Sequence, residues 1–163
     1  MTDSERERTA SRRDVLKIAG ALAAGCAAST IALSPAAATP ADVQAAVARL
    51  IGGDARLNAG KVKLDIPPLV ENGNTVPCTV TVESPMTAAD HVKAIHILAE
   101  QNPQPYVISV ALGPRAGRAS ISTRIRLRDS QSVLAVAELS DGTFWSDRVN
   151  VMVTTGACLE DIL

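Results

Sequence analysis

Aromatic residues are nearly absent from this chain of 163 residues, which contains one Phe, one Tyr and one Trp. Proteins that bind single-stranded nucleic acid need several aromatic rings on which bases stack. The formal net charge is −1 at pH 7, so the chain also lacks the positive charge that favours binding to phosphates. These two shortages argue against nucleic-acid binding and predict a core of aliphatic side chains.

The sequence also lacks the usual motifs of catalysis, namely a Ser-centred nucleophile elbow, paired inward carboxylates and a Gly-rich phosphate loop. Its two histidines, His91 and His96, would point to opposite faces of a continuous strand and could not share one metal ion. A blue-copper site needs His and Met soon after the cysteine, and Cys158 is followed by neither. We therefore expect a non-enzymatic protein without a bound metal or cofactor.

The first 38 residues have the pattern of an export signal. Residues 11–17 read Ser-Arg-Arg-Asp-Val-Leu-Lys, which matches the twin-arginine signal, and residues 18–33 are too short and too weakly apolar for a membrane span. Three alanines at 36–38 provide a cleavage site before Thr39. We expect export to the periplasm by the twin-arginine pathway without a membrane anchor; lipidation at Cys26 is the less favoured alternative.

Most of the remaining chain alternates apolar and polar residues with the period of two that is typical of β-strands. A short helix should come first, because Thr39 and Pro40 form a helix start and Gly52 and Gly53 a helix end. Strands are predicted at residues 61–66, 76–82, 91–100, 106–112, 118–128, 133–139 and 144–153. Seven short strands separated by turn residues indicate an all-β domain over residues 39–153, an immunoglobulin-like antiparallel β-sandwich without that fold's disulfide.

Two cysteines follow the predicted signal. Cys78 lies on the inward face of a predicted strand, whereas Cys158 lies in residues 154–163, beyond the last strand. We interpret this tail as a flexible arm, with Gly156 and Ala157 as its hinge and the Cys158 thiol as its reactive group. A Cys78–Cys158 disulfide is the alternative in an oxidising compartment, but one thiol is predicted to face the core and the other to lie on a tail.

Arginines recur on the outward positions of the predicted strand at 118–128 and in the loop before it. Such a row can be a docking surface for an acidic partner, although a solvated strand face is the more common explanation. The candidate docking residues are Arg115, Arg118, Arg124 and Arg126.

Short motifs over nearly all of the predicted mature chain resemble the SoxY family. They are Gly-Lys-Val at 60–62, Leu-Asp-Ile-Pro at 64–67, Glu-Asn-Gly at 71–73, Val-Thr-Val-Glu-Ser-Pro-Met at 80–86, Asn-Pro at 102–103 and Asp-Gly-Thr-Phe-Trp at 141–145. SoxY is the sulfur-carrier subunit of bacterial thiosulfate oxidation. The resemblance implies a heterodimer with a SoxZ-like subunit, and a sulfur intermediate held covalently on Cys158 while periplasmic enzymes oxidise and hydrolyse it.

The tail departs from the family pattern around the cysteine. The family's arm reads Gly-Gly-Cys-Gly-Gly, whereas residues 156–160 read Gly-Ala-Cys-Leu-Glu, which is similar to a SoxY-related branch with an Ala-Ala-Cys-Ile-Glu arm. Leu159 and Glu160 are bulkier than glycine, which implies different partner enzymes, and the nearby carboxylates should oppose ionisation of the thiol. The alternative function is a periplasmic interaction or assembly protein without a covalent cargo, linked to a quinoprotein oxidation system.

Overall fold

The computed structural model describes residues 38–52 and 56–156. Helix α1, Pro40–Ile51, begins with a capping box, in which the Thr39 hydroxyl accepts a hydrogen bond from the Asp42 N–H and the Asp42 carboxylate accepts one from the Thr39 N–H. Gly52 ends the helix with a φ of 74°, a left-handed conformation that favours glycine. The predicted helix and both of its ends are confirmed.

The signal prediction falls on residues outside the described part, apart from Ala38. This residue is buried, and its N–H donates a 2.8 Å hydrogen bond to the carbonyl oxygen of Asn102. Cleavage before Thr39 would remove this contact but leave the capping box intact. No helix within 38–52 or 56–156 has the length and hydrophobicity needed to cross a lipid bilayer.

Nine strands follow the helix in the described residues, two more than the sequence pattern predicts. They are β1 Leu57–Ala59, β2 Val62–Asp65, β3 Leu69–Asn72, β4 Val76–Val82, β5 Val92–Ala99, β6 Tyr106–Ala111, β7 Ala119–Ile125, β8 Gln131–Leu139 and β9 Phe144–Thr155. A single 3-10 turn, Pro114–Ala116, lies between β6 and β7. The two extra strands, β1 and β3, have three and four residues, and neither lies within a longer alternating run such as the one at 61–66 that predicts β2.

The strands form two facing sheets, which confirms the predicted β-sandwich. The larger sheet has the order β1-β9-β8-β5-β6, with β3 also paired to β9, and the smaller sheet has the order β2-β4-β7. The long strands pair antiparallel as expected, but β1 and β3 each run parallel to β9. The large sheet is therefore mixed at the edge where the two short strands lie.

The apolar faces of the two sheets enclose the main core. Alternate residues of β4 from Val76 to Val82 are buried, as its sequence pattern predicts. Strand β8 is buried on both faces, because its inner face packs into the main core while α1 covers Leu134 and Val136 on its outer face. The Tyr106 hydroxyl donates a 2.9 Å hydrogen bond to the carbonyl oxygen of Ala46 and so fastens the helix to β6.

Candidate functional site

The chain that leads to the predicted arm is held on both sides up to its last described residues. On one side the Gly73 N–H donates a 2.8 Å hydrogen bond to the Thr155 carbonyl oxygen. On the other side the Ser130 hydroxyl accepts a hydrogen bond from the Val153 N–H at 2.9 Å and donates one to the Val153 carbonyl oxygen at 3.3 Å. Gly156 is itself buried, so the chain is fixed until this residue.

The remaining arm residues lie outside the described part of the chain. They include Ala157, the second predicted hinge residue, and Cys158, the predicted reactive group. The roles assigned to these two residues and to Gly156 therefore stay predictions.

Cys78 is a core residue, as its strand position predicts. Its side chain is 1% exposed and makes no disulfide with any described residue. Burial, with a smaller contribution from the Asp65 carboxylate, raises the pKa of the Cys78 thiol to about 11. The thiol therefore stays protonated near neutral pH and cannot act as a nucleophile there. A disulfide with Cys158 would require the tail to enter the core.

The two histidines do not converge on a metal site within 38–52 and 56–156, where no group of three or more His, Cys, Asp or Glu side chains could hold an ion. The expectation that they face opposite ways assumed a continuous strand. His91 instead precedes β5, and the pairing of β5 with β8 shifts between Val92 and Ala94, so the spacing of the two histidines no longer supports that expectation. The His96 Nδ1 lies 2.8 Å from the Ser109 hydroxyl. Desolvation lowers the pKa of His96, and the negative charge of Glu138 raises it by a smaller amount.

The four candidate docking arginines are all exposed, but they do not form one surface. Arg124 and Arg126 line a groove of about 510 Å³ between β6 and β7. Arg115 lies in the 3-10 turn and Arg118 precedes β7, and neither lines the groove. The row seen in the sequence therefore contains a pair that shares a concave surface and two residues outside it.

Asn102, which the sequence marks only as part of the Asn-Pro motif of the SoxY resemblance, also lines this groove. Its side-chain amide donates a 2.8 Å hydrogen bond to the Arg126 carbonyl oxygen, and its amide oxygen accepts one from the Arg128 N–H at 3.0 Å. Gln131 donates a further hydrogen bond to the same oxygen at 3.0 Å. The sequence gives no signal of this role, because it depends on how the loop after β5 meets the end of β7.

Comparisons with known structures agree with this architecture. The sulfur carrier protein SoxY from Chlorobium limicola f. thiosulfatophilum is 25% identical with a TM-score of 0.56, over 70% of this chain and 97% of that one. A superoxide reductase (neelaredoxin) from Ignicoccus hospitalis is 19% identical with a TM-score of 0.52, over 58% of this chain and 80% of that one. At this identity the second similarity concerns the fold alone.

Comparison with the curated proteins gave no match. The family model described as sulfur oxidation protein SoxY matches residues 47–158, a span that contains all nine strands and extends to Cys158. The chain therefore belongs to the SoxY family.

Proposed function

We propose that this protein is a periplasmic sulfur carrier that is exported by the twin-arginine pathway and holds a sulfur-containing intermediate covalently on Cys158. The observation that supports this best is the pair of cysteines. The SoxY match extends to Cys158, while burial in the core makes Cys78 unsuitable as an attachment point. Cys158 is then the one thiol of the proposed mature chain, residues 39–163, that is available for cargo.

The chemistry of such a carrier can be written with thiosulfate as the cargo. Joining the Cys158 sulfur to the terminal sulfur of thiosulfate forms an S–S bond and releases one proton and two electrons, which a redox enzyme must accept. Water then cleaves the S–S bond to the sulfonate group, giving sulfate and a proton and leaving a persulfide on Cys158. The carrier itself needs no cofactor for either step, since partners supply the electron acceptor and the hydrolytic catalyst.

The proposed partners are therefore proteins. A SoxZ-like subunit would form the heterodimer, and periplasmic enzymes would load and unload the thiol. Because Leu159 and Glu160 replace the glycines of the common arm, the enzymes that receive Cys158 need a wider entrance than one that fits glycine.

The alternative is an interaction or assembly protein without a covalent cargo, linked to a quinoprotein oxidation system, and the same departure in the arm favours it. Substitution of Cys158→Ala separates the two. A carrier loses pathway activity in cells but still forms its heterodimer, whereas an assembly protein keeps its function. Ala157→Gly is the matched control, because it changes the arm next to the cysteine but keeps the thiol, and it should retain activity.

A further inference from the structure

We infer that the groove between β6 and β7 is a docking site for an extended, acidic segment of a partner protein, which adds as a strand to the free edge of β6. Strand β6 is the outermost strand of the larger sheet and β7 the outermost strand of the smaller one. In the described part of the chain, each pairs with a neighbour on one side only. The groove therefore lies where both sheets have an open edge.

The composition of β6 favours strand addition. Its six residues, Tyr-Val-Ile-Ser-Val-Ala, contain no charged residue and no proline. Natural sheets usually protect an open edge with charges, prolines or covering elements, because an unprotected edge pairs readily with another extended chain. Within the described residues, irregular pairing with β5 near Val107 gives this edge only partial protection. Strand addition to such an edge is a common mode of peptide recognition.

The walls of the groove define the chemistry of the segment. Val107 and Ile108 are partly buried, pack against the main core and provide an apolar surface on one side. Arg124 and Arg126 are exposed on the opposite side, and none of the described residues that line the groove is acidic. Neither arginine makes an ion pair with a described residue. A segment that alternates acidic and aliphatic side chains complements both walls.

A second copy of this chain fits the groove less well. Antiparallel pairing of two β6 edges would make a symmetric interface. It would bring the arginine walls of both copies to the same interface, where like charges repel. We therefore assign the groove to a different protein that carries the opposite charge.

The groove also lies close to the base of the tail. The Leu127 N–H, one residue after Arg126, donates a 2.8 Å hydrogen bond to the Gly73 carbonyl oxygen, and the Gly73 N–H donates another to the Thr155 carbonyl oxygen. Because Gly73 makes both bonds, the backbone at Leu127 lies within roughly 10 Å of Thr155, about two strand spacings. A docked partner would thus lie within reach of Cys158. That this partner loads or unloads Cys158 rests on the proposed function.

The test uses a fluorescent peptide that alternates glutamate and valine. Its binding to the proposed mature protein, residues 39–163, is measured by anisotropy at low and high salt. We expect saturable binding that weakens with salt and is lost with the corresponding lysine-valine peptide. Charge reversal with Arg124→Glu and Arg126→Glu should weaken binding at least about tenfold, since it places like charges together. The matched control, Arg115→Glu with Arg118→Glu, makes the same change in net charge outside the groove and should leave binding within about twofold.

Strand addition has its own control. The same glutamate-valine peptide with alternate backbone nitrogens methylated keeps its charges but cannot complete a strand ladder, and it should not bind. The proposal would be overturned if both double arginine variants weakened peptide binding equally, or if the methylated peptide bound as well as the unmethylated one. Either result would indicate general electrostatic attraction. Self-association of the wild-type protein that the glutamate-valine peptide competes away would assign the groove to a second copy instead. The Cys158→Ala variant should bind the peptide as the wild type does, because the thiol is not part of the groove. Peptide binding therefore tests the docking site independently of the carrier function.

Discussion

The Ser130 hydroxyl contacts the backbone of Val153 twice, accepting a hydrogen bond from its N–H at 2.9 Å and donating one to its carbonyl oxygen at 3.3 Å. Val153 lies three residues before Gly156, the last described residue before the predicted arm. A single side chain therefore helps to fix the base of the tail that contains Cys158, the proposed attachment point.

Replacement of Ser130 by Ala should destabilise the fold by about 1–2 kcal/mol, because it leaves the Val153 N–H without a partner in a partly buried position. Urea unfolding measures this loss, and hydrogen exchange at the Val153 amide should become faster. The matched control is Ser122→Ala, which removes an exposed hydrogen bond to the Thr79 hydroxyl and should cost less than about 0.5 kcal/mol. Equal losses in the two variants would contradict this role.

Cys78 should resist alkylation in the native state and react only after unfolding, because its thiol is buried and protonated near neutral pH. Its folded-state pKa of about 11 lies above the ordinary value of 9.0. The unfolded chain thus loses this proton first, and stability should fall as pH rises from 9 through about 11.

The pH effect of Cys78 is isolated by comparing unfolding free energies of the Cys158→Ala protein with and without Cys78→Ala. The protein that keeps Cys78 should lose stability relative to the Cys78→Ala protein as the pH rises. The difference between their unfolding free energies should therefore change by an amount on the order of 2 kcal/mol between pH 9 and 11. A constant difference over this range would show that the Cys78 thiol is not protected by the core.

His96 should titrate below the ordinary value of 6.5, because desolvation lowers its pKa. The unfolded chain binds this proton at a higher pH than the folded one. The contribution of His96 to stability is therefore present above pH 6.5 and is lost as pH falls through the lowered pKa. Proton NMR of the ring, with His91→Gln to assign the signals, measures this pKa. Glu138→Gln should lower it further, and a His96 pKa at or above 6.5 would be inconsistent with the structure.

Substitution of Glu160→Gln should raise the rate at which Cys158 reacts with a thiol reagent at pH 7 by about twofold, since it removes a negative charge that opposes the thiolate. The increase should shrink at high salt, where exposed charges are screened. Glu83→Gln, which neutralises an exposed carboxylate on the folded domain, should leave the rate unchanged. An equal rate in the Glu160 variant would mean that this carboxylate does not influence the thiol.

Much of the fold could be predicted because its strands are locally patterned. Alternation identifies the inward face of β4, including Cys78, and the outward face of β7, including Arg124. Alternation cannot reveal that α1 covers the outer face of β8. Burial of a strand on both faces depends here on a helix that is distant in sequence. Strands β1 and β3 are short and depend on pairing with β9, so their residues alone give no signal.

The candidate site could be predicted less completely. Cys158 stays a prediction from its position after the last strand, because it lies outside the described residues. The arginine row is recognisable from its period of two. The groove beside Arg124 and Arg126 could not be foreseen, because β6 and β7, although consecutive in sequence, are edge strands of two different sheets. The bulge after Val92 is likewise set by pairing with β8, and it removes the spacing argument applied to the histidines.

The most direct test of the central claim is the intact mass of the mature protein, recovered from the periplasm of cells grown on thiosulfate or on one-carbon substrates and measured with and without reductant. We predict a sulfur-containing addition that reductant removes and that peptide mapping assigns to Cys158. An unmodified Cys158 under every growth condition, or a crosslink between Cys158 and Cys78, would contradict the carrier function.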